Sequence, residues 1–198
     1  MREISAETGL LIVIVGPSGA GKDTLLNEIR MDASLAASLH FVKRAITRNF
    51  VQDAEKFWPM TTEEFIKAKK GNAFCVTWEA HGLHYGVHQT AFDLVETGHI
   101  VVLNGARRAL SDLQNTFKNM VVINITADPD VLAMRLVARG REDAAKISDR
   151  LKQQNLAVGS EFDVINIDNS GSLATALVNL KITLKNLIDA QSLKSLAG

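Results

Sequence analysis

The chain has 198 residues, with 22 basic and 22 acidic side chains and no net charge. That length suits one α/β domain with a sizeable buried core, and the balanced charge argues against a general nucleic-acid-binding surface, so any anion site must be local. The single cysteine, Cys75, lies in the apolar run Ala73-Phe74-Cys75-Val76 and reads as a core residue; it has no internal disulfide partner, which suits a reducing compartment.

Residues Met1 to Gly9 include Arg2, Glu3 and Glu7, and the apolar run after them is only six residues long. We therefore expect neither a signal peptide nor a membrane span, and a cytoplasmic protein. The run itself, Leu10-Leu11-Ile12-Val13-Ile14-Val15, predicts a strand buried on both faces. It stops at Gly16-Pro17-Ser18-Gly19-Ala20-Gly21-Lys22, which has the G-x4-G-K spacing of a phosphate-binding loop, and a helix is expected to follow as far as Arg30. The glycines let successive N–H groups line one concave face, the helix N-terminus adds partial positive charge and Lys22 a full one. The competing reading is a glycine-rich turn without a ligand, and the strand and helix on either side favour polyphosphate binding.

After the lysine the pattern calls for Ser or Thr, whose hydroxyl ligates Mg²⁺; this chain has Asp23, then Thr24. A carboxylate is still a hard oxygen ligand, so Asp23 and Thr24 are the expected metal ligands. The negative charge of Asp23 beside phosphates must be neutralised by a metal or an arginine.

Residues 31–39 read as a helix end and a connection, and His40 to Arg48 as a second strand with Arg44 and Arg48 toward its carboxyl end. Ligands of doubly wound sheets collect there, so both arginines are candidate anion ligands, equally well read as solvated edge residues. After a polar loop, 49–56, comes Phe57-Trp58-Pro59-Met60; Thr61 with Glu64 forms a capping box for a helix that ends at Gly71. Ala73 to Glu79 predicts a short strand that leads into a glycine-punctuated segment carrying His81, His84 and His88. No cysteine partner and no helical H-x3-H framework accompany these histidines, so substrate-facing or plain surface roles are expected ahead of zinc. A helix over Thr90 to Glu96 closes at Gly98.

Ile100 to Leu103 predicts a third strand, with Asn104-Gly105-Ala106-Arg107-Arg108 at its carboxyl end, and Val121 to Ile125 a fourth. Asp128 and Pro129 have the N-cap and first-turn chemistry of a helix start. Four arginines (Arg135, Arg139, Arg141 and Arg150) then fall within sixteen residues, interrupted by Gly140. A solvated helix paired through Glu142 and Asp143 would explain them, but beside a phosphate loop they favour a phosphoryl-transfer lid. Phe162 to Ile167 predicts a fifth strand, Asp168 to Ser172 a turn, Leu173 to Ala190 an amphipathic helix, and Gln191 to Gly198 a frayed tail.

In this order, GPSGAGK, Ile46-Thr47-Arg48, the TTEEF segment, HGLHYG and RLVARGRE with the later DRL resemble the guanylate-kinase-like branch of the P-loop kinases, over Leu10 to Ala190. The resemblance implies an α/β P-loop NTPase fold, a five-stranded parallel sheet with helices on both faces. It implies one domain, with core segments 10–40, 98–138 and 150–190, a substrate-binding insertion at about 41–90 and a lid at about 139–148. The guanine-reading residues of that branch are replaced: Arg44 stands for its serine, Phe57 for its phosphate-contacting tyrosine and Val76 for its glutamate.

The replacements are similar to those of the ribose 1,5-bisphosphate phosphokinase family, which shares Gly21-Lys22-Asp23, the R-x-I-T-R of Arg44 to Arg48, the W-x-A-x-G-L-x-Y-G of Trp78 to Gly86, Val102 to Arg107 and Arg139-Gly140-Arg141-Glu142. Phe57 and Trp58-Pro59 depart from it. This resemblance implies transfer of the γ-phosphoryl of ATP to the 1-phosphate of ribose 1,5-bisphosphate, in phosphonate breakdown, with ATP and Mg²⁺ as cofactors. Implied nucleotide ligands are Gly16, Pro17, Ser18, Gly19, Ala20, Gly21, Lys22, Asp23, Thr24, Arg135 and Arg139, with Lys22, Arg139 and Arg150 catalytic. Arg44, Arg48, Tyr85, Asn104, Arg107 and Arg141 would meet the sugar bisphosphate. The sequence does not identify the adenine-contacting residues, and the turn at Asp168 to Gly171 is the one candidate. The partner is then a small molecule, neither nucleic acid nor membrane. The rival expectations are a nucleoside monophosphate kinase, chiefly guanylate kinase, and a non-catalytic binding module, which would have no use for Lys22 or the lid arginines.

Overall fold

The computed structural model describes residues 8–48, 57–138 and 158–197. Strand β1 (Leu10–Val15) leads through the glycine loop into α1 (Lys22–Met31), then α2 (Ala33–Ala36) and β2 (His40–Val42). β3 (Arg44–Ile46) and β4 (Phe57–Pro59) precede α3 (Thr62–Lys70), and the pair β5 (Phe74–Ala80) and β6 (Leu83–His88) precedes α4 (Gln89–Glu96). β7 (Ile100–Asn104), a 3-10 turn (Arg107–Ala109), α5 (Leu110–Thr116), β8 (Met120–Thr126) and α6 (Pro129–Ala138) follow. β9 (Val164–Asp168) and α7 (Leu173–Ala197) complete the order.

Five strands form an all-parallel sheet in the order β2-β7-β1-β8-β9. Every residue of β1 is buried, as a continuous apolar run requires when helices cover both faces. Ile12 and Ile14 pack with Leu25, Leu26 and Ile29 of α1 and with Leu180 and Leu184 of α7. Leu11, Val13 and Val15 face the opposite layer, with Leu110 and Leu113 of α5 and Phe117. The chain leaves β1 for the far edge at β2, while β8 lies on its other side, so the strand order reverses at β1. A crevice opens at the carboxyl ends of the strands at such a point. The glycine loop occupies it.

A second sheet has the order β4-β3-β6-β5. β5 and β6 are joined by a two-residue turn in which His81 and Gly82 both have positive φ, 52° and 72°, the backbone of a type I′ hairpin. The single strand expected over His40 to Arg48 is in fact two. Val42 pairs with Leu103 in the parallel sheet, whereas Arg44 pairs with Val87 and Phe57 in the second. The break at Lys43 comes where β7, the neighbour of edge strand β2 among the described residues, ends at Asn104 and β6 takes over as partner. Strands β4 and β6 were not foreseen.

The capping box forms as expected: the Thr61 N–H donates to Glu64 Oε2 at 2.8 Å and the Glu64 N–H to Thr61 Oγ1 at 3.1 Å. The fifth parallel strand begins at Val164, two residues later than expected. The tail expected to fray is instead the end of α7. Gln191, only 5% exposed, donates from Nε2 to the Thr8 carbonyl at 2.8 Å and accepts from Asn119 Nδ2 at 3.3 Å. A polar residue is an anchor here because it satisfies a backbone carbonyl just before β1 and the Asn119 side-chain amide. The expected lid, 139–148, and the loop 49–56 lie outside the described residues.

Candidate phosphoryl-transfer site

The loop between β1 and α1 has the geometry its glycines predict. Gly16, Gly19 and Gly21 take positive φ values of 148°, 89° and 89°. At Gly16 a Cβ would fall on the carbonyl of Ile125, and at Gly21 it would lie 2.5 Å from Asn169 Nδ2. Asn169, in the turn after β9, is 1% exposed and donates from Nδ2 to the Ala20 carbonyl at 2.7 Å. Its own N–H bonds the Thr126 carbonyl at 2.8 Å, so the loop is bolted to the carboxyl ends of β8 and β9. The side chains of Leu132 and Leu136 on α6 approach Gly19 from the other side. Lys22 Nζ donates to the Gly16 and Pro17 carbonyls at 2.7 and 2.9 Å. A cradle of this kind, with the lysine folded over the loop, fits a polyphosphate.

Asp23 and Thr24 are exposed in the first turn of α1. Asp23 Oδ1 accepts a hydrogen bond from Asn104 Nδ2, at the end of β7, at 2.8 Å. The neutralising arginine is also there. The Asp23 carboxylate acts electrostatically on both Arg44 and Arg30, raising pKa values that burial lowers. Both arginines are half-buried, and the Arg44 guanidinium lies 5.8 Å from the centroid of the Tyr85 ring. Tyr85 stacks on Trp78 at 5.3 Å with the rings 6° from parallel, directly across the β5–β6 pair. The aromatic wall thus supports the cation, a contact that gains strength where water is excluded.

A second arginine reaches the same end of the sheet. Arg107, just after β7, donates to Asn124 Oδ1 of β8 at 3.1 Å, and Asn124 Nδ2 donates to Asn166 Oδ1 of β9 at 2.8 Å. Burial lowers the Arg107 pKa as well. Asn124 and Asn166 were not singled out from sequence; their signal is an amide inside an otherwise apolar strand. Arg108 turns away, donating to the Glu79 carbonyl at 2.9 Å.

Loop residues Gly16 to Thr24, Arg44, Tyr85, Asn104 and Arg107 therefore share the carboxyl end of the parallel sheet or the second sheet's face beside it. Arg48 is exposed beyond β3, its N–H bonded to the Ile46 carbonyl at 2.8 Å. Arg135 lies on α6, with Nη1 buried and without a hydrogen-bond partner among the described residues. Arg139, Arg141 and Arg150 lie outside the described residues.

His84 and His88 belong to β6. His84 pairs with Glu79 at 3.0 Å and stacks on Phe65, while His88 meets Trp58 edge-on. Among the described residues no three His, Cys, Asp or Glu side chains converge on a metal position. Burial pushes the Cys75 thiol up to about 11, which suits a packing residue and not a nucleophile. No helix among the described residues is long and apolar enough to cross a membrane.

The guanylate kinase family profile matches residues 8–187. The ribose 1,5-bisphosphate phosphokinase PhnN of Rhizobium etli is 43% identical over 92% of this chain and 93% of its own. The protein of the same name from Agrobacterium fabrum is 43% identical over 84% of this chain and 91% of its own. Among solved structures, a guanylate kinase from Anaplasma phagocytophilum has a TM-score of 0.65 at 17% identity, covering 93% of this chain and 87% of that one, a likeness of fold alone. On the family profile and the curated relatives together, the chain belongs to the ribose 1,5-bisphosphate phosphokinases of the guanylate kinase family.

Proposed function

We propose that this protein transfers the γ-phosphoryl group of ATP to the 1-phosphate of α-D-ribose 1,5-bisphosphate, releasing ADP and 5-phosphoribosyl 1-diphosphate. The observation that carries the reading is a half-buried arginine, Arg44, set against the Tyr85 ring and within electrostatic reach of Asp23 in the first turn after a phosphate-binding loop. At two of the positions where guanine-reading residues would stand, Phe57 and Val76 are 6% and 5% exposed and carry no polar side-chain atom. A site that reads a base through hydrogen bonds loses orders of magnitude of preference without them.

The acceptor is itself a phosphate, so its attacking oxygen needs no strong general base. The difficulty is electrostatic, holding two polyanions in line while charge spreads over the moving group. Lys22 and the loop N–H groups would hold the phosphates of ATP, and Asp23 and Thr24, exposed at the start of α1, would be the oxygen ligands for Mg²⁺. A metal held there would supply positive charge to offset that of the phosphates. Arg135, Arg139 and Arg150 clamp the nucleotide and the transferred group, with Lys22, Arg139 and Arg150 catalytic. Arg44, Arg48, Tyr85, Asn104, Arg107 and Arg141 receive the sugar bisphosphate in a substrate-binding insertion at about 41–90. The protein would act in the cytoplasm, in phosphonate breakdown.

The test is to incubate purified protein with Mg-ATP and either ribose 1,5-bisphosphate or GMP and to measure ADP. We expect turnover with the sugar and little with GMP. Turnover with GMP alone would assign a nucleoside monophosphate kinase, and turnover with neither a binding module.

A further inference from the structure

The amide of Asn104 is oriented by its neighbour. Its Nδ2 donates to Asp23 Oδ1 at 2.8 Å, and turning the amide over would set its oxygen against a carboxylate. The charge of Asp23 therefore fixes Asn104 Oδ1 on the opposite side, where it is buried and has no hydrogen-bond partner among the described residues. A buried acceptor without a donor is costly, so a partner is expected to come from a ligand. Asn104 itself is partly exposed, at the carboxyl end of β7 next to β1 and the glycine loop, which places it on the floor of the crevice.

What could donate to it is restricted by the chemistry of the substrates. The phosphate groups of ATP and of a sugar bisphosphate, ionised at neutral pH, offer acceptors only. Guanidinium and ammonium groups nearby serve those phosphates. The groups on such substrates that can donate at this depth are sugar hydroxyls. Resting on the function proposed above, we infer that Asp23 and Asn104 form a hydroxyl-reading pair: Asn104 Oδ1 accepts a hydrogen bond from a ring hydroxyl of the phosphoryl acceptor, and Asp23 is the positioning residue that keeps the amide turned that way. Asp23 thereby has a task that a serine at the same position, though able to bind metal, does worse: a hydroxyl can donate or accept and does not enforce one amide orientation.

The discriminating quantity is the ratio of kcat/KM for ribose 1,5-bisphosphate to that for its 2-deoxy and 3-deoxy analogues. A site built to bond a hydroxyl rejects the analogue that lacks it, and for wild type we expect a ratio of tenfold or more for one of the two. Asn104→Ala should bring that ratio to within about twofold of unity, by raising KM for the ribose compound while leaving the deoxy compound little changed. Asp23→Ser, at an exposed position where folding is not at stake, should lower the same ratio, and Asp23→Asn, whose carbonyl accepts the same hydrogen bond, should restore part of it. Calorimetric binding of ribose 1,5-bisphosphate without ATP should rank the variants in the same order. If wild type turns over the ribose compound but treats both deoxy analogues alike, or if Asn104→Ala or Asp23→Ser keeps the wild-type ratio, this inference is overturned and the proposed function stands. If wild type neither binds nor phosphorylates ribose 1,5-bisphosphate, both fall together.

Discussion

Lys22 folds back on the loop that it serves, bonding the Gly16 and Pro17 carbonyls. An arriving polyphosphate must draw it from those oxygens, and it can do so because a charge-assisted bond to phosphate is the stronger one. Lys22→Ala should lower kcat by about 10²–10³-fold, as loss of one preorganised charge donor does. Thermal melting should stay near wild type, because the side chain is only part-buried and both carbonyls lie at the crevice. A variant with wild-type turnover would refute the role assigned to the loop. Asp23, at first sight a fault in the motif, has two arginines answering its charge and an asparagine held by it. The loop motif was legible residue by residue because glycine spacing dictates a local backbone. The partners of Asp23 were not, since Asn104 lies 81 positions away along the chain.

Among the elements, α3 shows how local chemistry and packing divide the work. Its start is set by the reciprocal bonds of Thr61 and Glu64, all exposed. Its place is set by Phe65, 2% exposed, which stacks on Phe74 at 4.8 Å and on His84 at 5.4 Å beneath the second sheet. Thr61→Ala should therefore cost about 1 kcal/mol in urea unfolding through the lost cap. ATP affinity should be unchanged, because the glycine loop belongs to the other sheet. A loss of ATP affinity in that variant would show that α3 and the loop are coupled. The second sheet was the least legible part of the fold. β3 and β4 are three residues each, too short for a period to register, and β6 is interrupted by histidines and a glycine. Only the pairing of Tyr85 with Trp78 and Ile46 makes a strand of that segment.

At the scale of the whole molecule, distant ends of the chain are tied across the back of the sheet. Lys181 on α7 bonds the Asp32 carboxylate at 2.7 Å, and Gln191 near the end of α7 bonds the Thr8 carbonyl. The hydrogen bond from Lys181, with those from Ser34, holds the Asp32 carboxyl below its ordinary 3.8, at about 2. A carboxyl with a lowered folded-state pKa contributes stability above its unfolded value and loses it as the pH falls through the folded one. Asp32→Asn should thus lower the melting temperature at neutral pH, and the gap to wild type should narrow as the pH falls from 3.8 toward 2. A gap that stays constant over that window would show that the ion pair contributes nothing. The contribution at neutral pH is small, since both groups keep contact with water.

The sequence by itself determined the parallel sheet, the glycine loop, the capping box and the chemistry of a phosphoryl-transfer enzyme. These rest on runs, spacings and backbone requirements that act within a few residues. Tertiary structure decided which groups meet: that the basic strand splits between two sheets, that Arg44 rests on Tyr85 within reach of Asp23, that Asn169 holds the loop, and that Asn104 is turned by a carboxylate from the far side of the crevice. Those contacts join residues tens of positions apart, and a hydrogen bond or a charge responds to distance in space, which neither composition nor period records.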